Sequence, residues 1–147
     1  MIDLGGGYSA ERLSDHIYHE SSALLESRIF GHTSVYRFDP APRPDVPRGE
    51  TYSWGIFQGG ELIGDHHAFQ WDERSVYMAD SGLLPEHRGR GVYTRLLPYL
   101  LNTFREAGYT MVRSVHRATN NAVIIPKLRV GFFIQGLNLY EGVRASC

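Results

Sequence analysis

Cysteine is almost missing from this chain: of 147 residues only Cys147 carries a thiol. A single thiol at the terminus cannot close an internal bridge, and no spaced Cys/His set supplies metal ligands. A disulfide scaffold and a zinc module are therefore not expected, metal is expected to be absent, and the setting is expected to be cytoplasmic. Long apolar runs are missing as well. No early segment has the length and basic flank of a signal peptide, and none reaches the roughly 20 residues that span a bilayer. Net charge is nearly absent too, since 15 Lys and Arg stand against 16 Asp and Glu. That balance argues against nucleic acid as a general partner, because phosphate backbones select a basic surface. Aromatic and aliphatic residues recur in blocks without low complexity, so residues 1–147 are read as one domain with a real core.

What is present is a concentrated local signal. The stretch Leu83-Leu84-Pro85-Glu86-His87-Arg88-Gly89-Arg90-Gly91-Val92-Tyr93 leads into the apolar pattern Leu96, Leu97, Leu100 and Leu101. It describes a strand that opens through a tight basic turn into a helix. Amides at a helix N-terminus are unsatisfied donors in a favourable dipole, so the turn is a site for an anion such as phosphate. Arg88 and Arg90 add charge and planar donor forks.

Around this turn, apolar spacing predicts a helix from about Ser9, as N-cap, to Glu26. A short strand follows from His32 to Phe38, then a proline-rich loop from Pro40 to Pro47. Thr51 to Gln58, Gly59-Gly60 and Glu61 to Trp71 form a hairpin signal. Further strands are expected at Ser75 to Leu84, Tyr109 to Val115 and Phe132 to Tyr140. Helices are expected from Gly89 to Ala107, kinked by Pro98 and ended by Gly108, and from Asn120 to Val130. The order implies an α/β architecture of the α+β kind, a mixed sheet covered by helices.

The turn resembles the acyl-CoA pyrophosphate loop of the GCN5-related N-acetyltransferases, Arg/Gln-x-x-Gly-x-Gly/Ala. Arg88 fills the first place, Gly91 the central glycine and Tyr93 the last small position, where its bulk is a departure. Asn120 to Phe132 is similar to the later motif of that family, in which an asparagine begins a helix and Gly-Phe, here Gly131-Phe132, closes it. The resemblance covers roughly residues 50 to 140. It implies the acyl-CoA N-acyltransferase fold with a mostly antiparallel central sheet, acetyl-CoA as cofactor, and a primary amine on a small molecule or peptide as acceptor. It also implies cofactor contacts at Leu83, Leu84, Arg88, Gly89, Arg90, Gly91, Val92, Tyr93 and Asn120. The usual seventh strand has little sequence left after Tyr140, so the expectation is either a short sheet or an edge completed by a partner as a homodimer.

Many members of that family place a tyrosine in the later helix to protonate the leaving thiolate, and here the position holds Lys127. Lysine can donate that proton, or it can be a solvated helix residue or reach a cofactor phosphate. Tyr140 and Tyr93 are other acids. Asp80 is placed by period-two alternation on the face of Met78, Gly82 and Leu84, where it can orient an amine or accept a proton. His116, just past a strand, can relay a proton near neutral pH. His66 and His67 are neighbours whose side chains diverge on a strand. Glu50, Asp65 and Glu73 are loose acceptor-site candidates, and Trp54, Phe57, Phe69 and Trp71 read first as sheet core. The alternatives to direct acetyl transfer are a CoA-binding sensor without turnover, a longer acyl group and an acceptor that is not an amine.

Overall fold

The computed structural model describes residues 1–30, 49–116 and 121–136. Among them, six strands form one sheet in sequential order. β1 (Ile2–Gly5), β2 (Tyr8–Leu13), β3 (Thr51–Gln58), β4 (Glu61–Gln70) and β5 (Ser75–Leu83) are successively antiparallel, and β6 (Met111–Ser114) runs parallel to β5. Helices α1 (Asp15–Phe30), α2 (Val92–Glu106) and α3 (Asn121–Arg129) complete the mixed, mostly antiparallel sheet-and-helix architecture.

The hairpin of β3 and β4 turns on Gly59 and Gly60, whose φ angles of 56° and 83° need glycine. Along these strands, Tyr52, Trp54, Ile56 and Ala68 are buried, and Tyr52 and Trp54 meet Phe104 of α2 edge to face. The other face carries Ser53 and His67. His67 stacks on Tyr18 of α1 at 4.6 Å.

Helix α2 runs through Pro98 as one element, where the sequence suggested a kink. An interior proline costs about 3 kcal/mol. Val92, Leu96, Leu97, Leu100 and Phe104 are all buried, and each contributes roughly 2 kcal/mol. Packing outweighs the break.

The N-terminal region departs from its expected helix. Residues 8–13 pair with β3 over six positions, from Tyr8↔Gln58 to Leu13↔Ser53, so Ser9 lies in a strand. Ser14 caps α1 instead, its hydroxyl accepting from the Ile17 amide at 3.4 Å. Periodicity misled here: Ile17 and Leu24 are exposed, while Tyr18, Leu25 and Ile29 are buried. The expected strand at 32–38 and the loop at 40–47 lie outside the described residues. The strand expected from Phe132 is not formed over residues 132–136, where Phe133 and Ile134 are exposed, and its remainder lies outside the described residues.

Candidate active site

The site is made by two strands that separate. Pairing between β5 and β6 stops at Met78↔Ser114, yet β5 continues to Leu83. Residues 80–83 keep β4 partners on one side and, among the described residues, have no β6 partner on the other. A strand edge so exposed presents free N–H and C=O groups to an extended, amide-bearing ligand. Beside it lies a cleft of about 160 Å³, walled by His66 of β4, Met78–Ser81 of β5, and His116, Val123 and Lys127.

A bulge in β5 re-aims the residue expected to handle the amine. Ala68 pairs with Met78 and His67 with Asp80, leaving Ala79 as the extra residue. Asp80 is therefore not on the face of Met78, as simple alternation placed it. It sits opposite His67 on the α1 face, is exposed, and still borders the cleft. The field of Asp80 tends to raise the His67 pKa. Burial dominates, however, and holds that ring below the ordinary histidine range.

Lys127 is the only lysine of the chain and is buried, 4% exposed. It is not a solvated helix residue. Its Nζ donates to His116 Nε2 at 2.5 Å and lies 5.6 Å from the centre of the Phe132 ring. Burial lowers its pKa to about 7. His116 falls to about 4, through burial first and the nearby Lys127 charge second, so it is neutral and accepts through Nε2. The structure thus places Lys127, His116 and Asp80, each named from the sequence, around one cleft.

His66 was read from the sequence only as a strand residue whose side chain diverges from that of His67, with no role in the site. It is 1% exposed, lowered to about 3 chiefly by burial, and neither ring nitrogen has a hydrogen-bond partner among the described residues. The available signal was its place two residues before Ala68, a polar side chain on the inner face of a strand.

The glycine turn stands at the end of the same strand. Leu84 is buried and its amide bonds Ile63, so the chain is pinned where it leaves the sheet. Gly89 and Gly91 have φ of 75° and 72°, and a Cβ on either would meet nothing within 4 Å. Gly91 is the N-cap of α2 and offers no side chain to cap it. Arg95, also missed from sequence, donates to the carbonyls of Arg90 and Gly91, both at 3.2 Å. In a trans peptide the N–H points opposite the C=O, so these bonds turn the amides of Gly91 and Val92 away from Arg95.

Arg88 already has partners within the fold. Its guanidinium donates to Leu83 O at 3.1 Å and to Ile29 O, tying the end of β5 to the end of α1. Arg90 is exposed. Tyr93 does not obstruct the loop, because its hydroxyl is buried in the fold. Asn120 and Tyr140 lie outside the described residues. Of the looser candidates, Glu50 accepts from Tyr52, Asp65 is buried, Trp54 is core and Trp71 is half exposed. Among the described residues no group of three His, Cys, Asp or Glu side chains is arranged to hold a metal, and no helix is long and apolar enough to cross a membrane.

An open glycine turn at a helix N-terminus, continuous with a strand edge that β6 leaves unpaired and a nitrogen-lined cleft, fits a ligand with phosphates at one end and amides along its length. The Acetyltransferase (GNAT) family matches residues 14–132. The chain belongs to this family. It is thus an acetyltransferase of the GNAT fold, for which the family donor is acetyl-CoA. Among solved structures, it is similar to an aminoglycoside acetyltransferase from an uncultured soil metagenomic sample, in complex with trehalose. That likeness is 14% identical with a TM-score of 0.65, covering 97% of this chain and 100% of the other. A GNAT family acetyltransferase from Elizabethkingia anophelis with acetyl-CoA bound is 10% identical, TM-score 0.61, over 89% of this chain and 79% of that one. A ribosomal-protein-alanine N-acetyltransferase from Brucella melitensis biovar Abortus 2308 is 14% identical, TM-score 0.64, over 93% and 99%. No curated protein matches the chain by sequence. At these identities the structural likeness speaks for the fold, and the acceptor has to be argued from this GNAT protein's own cleft.

Proposed function

We propose that this protein transfers an acetyl group from acetyl-CoA to a primary amine by direct attack, with Lys127 in the place of a tyrosine acid. The observation that carries the reading is the buried Lys127–His116 pair on the wall of the cleft where β5 loses its partner. Gly89, Arg90, Gly91, Val92 and the backbone at Tyr93 hold the pyrophosphate, and Leu83 with its neighbours on the open edge of β5 holds the amide-bearing arm. Leu84, Arg88 and Arg95 position these elements. Bound acetyl-CoA supplies an acyl group activated as a thioester and departs as the free thiol.

The side chains have to manage two protons. An amine attacks only when neutral and aligned, and it sheds a proton as the C–N bond forms. Asp80, exposed at the rim, receives that proton directly or through water. As the C–S bond breaks, the sulfur takes a proton, which Lys127 holds at Nζ. With a pKa of about 7, Lys127 is protonated in about half the molecules at neutral pH, which suits an acid that must also be recharged. Neutral His116 fixes the direction of Nζ and offers a route for reprotonation. No covalent enzyme intermediate is needed.

The family reaction fits a cytoplasmic enzyme whose acceptor is a small-molecule or peptide amine, and a homodimer would cover a sheet edge. A binding-only sensor is less well supported, because Tyr93 is turned into the fold. The test is thiol release from acetyl-CoA against a panel of primary amines, with a no-acceptor control. Acceptor-dependent release supports transfer; CoA binding without release from any amine supports the sensor.

A further inference from the structure

Three nitrogen-bearing side chains, His66, His116 and Lys127, line the cleft, and among the described residues no acid is paired with them. Lys127 is buried and joins no carboxylate in an ion pair among the described residues; its hydrogen bond is to His116. His66 is buried more deeply, lines the same cleft, and has both ring nitrogens without a partner among the described residues. Among the described residues the one carboxylate bordering the cleft, Asp80, is exposed and lies across the bulge on the face of His67. Buried polar groups and buried ammonium groups are costly without partners, and where a fold keeps them in a cleft a ligand can complete them.

We infer that the inner end of the cleft is a subsite for a ligand carboxylate, held by Lys127, His66 and His116. A carboxylate has two acceptor oxygens in one plane. Lys127 offers three N–H donors in all, and neutral His66 one. A carboxylate beside Nζ also favours the charged lysine. A phosphate is better served by the glycine turn and Arg90, which leaves this small cleft of about 160 Å³ to a smaller anion. The inference rests on the acyl-transfer reading of the cleft. In that reaction the carboxylate has two possible sources: a dicarboxylic acyl chain on the donor, or an amino-acid acceptor.

Two matched pairs separate them. Succinyl-CoA is compared with butyryl-CoA on a common amine, and leucine with 3-methylbutylamine on acetyl-CoA, using the full chain. In one arm the carboxylate-bearing member is expected to have kcat/KM about 10-fold higher or more, as a charge-assisted bond implies. That ratio should collapse in Lys127→Met and narrow in His66→Phe. Independently of turnover, the protein's one lysine gives a single labelled side-chain resonance, and succinate should move it saturably while succinamide does not. Equal or better use of the neutral member in both arms, or a lysine signal indifferent to succinate, overturns the subsite. Absence of thiol release with every pair counts instead against acetyl transfer, and the succinate titration then decides the subsite alone.

Discussion

Lys127 Nζ lies 2.5 Å from His116 Nε2, joining a residue of α3 to the chain just beyond β6. The contact closes the far wall of the cleft. Because Lys127 is the only lysine, its ionisation can be read directly by labelling that residue type.

The lysine resonance is expected to titrate near pH 7, far below the usual 10.4. A midpoint near 10 would return Lys127 to the role of an ordinary surface charge. The stability consequence has a definite sign. Between about pH 7 and 10.5 the unfolded chain binds a proton that the folded chain does not, so stability rises with pH across that window. Below pH 7 the full cost of burying the ammonium is present. Lys127→Met should remove the slope and stabilise the protein at pH 7 by on the order of a few kcal/mol, measured by denaturant unfolding.

Acid should destabilise the protein early. The pKa values of His66 and His116 are lowered to about 3 and about 4, so each is neutral when folded and takes up a proton when unfolded below its usual 6.5. Their contribution is complete above pH 6.5 and is lost as pH falls toward those folded values. At pH 5 the loss is roughly 2 kcal/mol for the fully buried His66 and smaller for His116, whose ring is only half buried and so screened by solvent. His66→Phe should flatten the melting temperature between pH 7 and 5, and an unchanged acid slope would place the proton elsewhere.

The two arginines of the turn should behave differently. Arg90→Ala is expected to weaken CoA binding several-fold with unchanged stability, as loss of one exposed phosphate contact implies. Arg88→Ala removes two hydrogen bonds to main-chain carbonyls and should cost about 1–3 kcal/mol of stability. Gly91→Ala meets no atom, so its cost is the left-handed backbone alone, about 1–2 kcal/mol, with a larger proportional loss of CoA affinity. Calorimetric CoA titrations beside thermal melts separate these effects.

Asp80→Asn should reduce the acceptor-dependent rate by about 10²-fold if Asp80 receives the amine proton, with CoA affinity retained. The same change should lower the His67 pKa further, because the Asp80 charge opposes the lowering caused by burial. Unchanged turnover with a shifted His67 would leave Asp80 as a neighbour of the reaction only.

Much of the fold was legible because its signals are local. Gly59-Gly60 announces the hairpin, and the leucines after Gly91 announce α2. The glycine turn was legible for the same reason, since positive φ and an uncapped helix start demand glycine. Asp80 was found but assigned to the wrong face, because the extra residue Ala79 has no mark in the sequence and one bulge inverts the alternation beyond it. Ser9–Leu13 was read as the start of a helix because its pairing with β3 is non-local. Arg95 went unnamed and His66 was given only a strand face for a related reason: what sets them apart comes from what packs around them, not from a spacing.

The central claim is that Lys127 serves the chemistry of acetyl transfer and not the anchoring of the cofactor. The most direct test is single-turnover thiol release by Lys127→Met beside the wild type, with CoA affinity measured on both proteins. A loss of about 10²-fold in rate with unchanged CoA affinity is the expected result. An unchanged rate, or a fall in rate matched by an equal fall in CoA affinity, would contradict it.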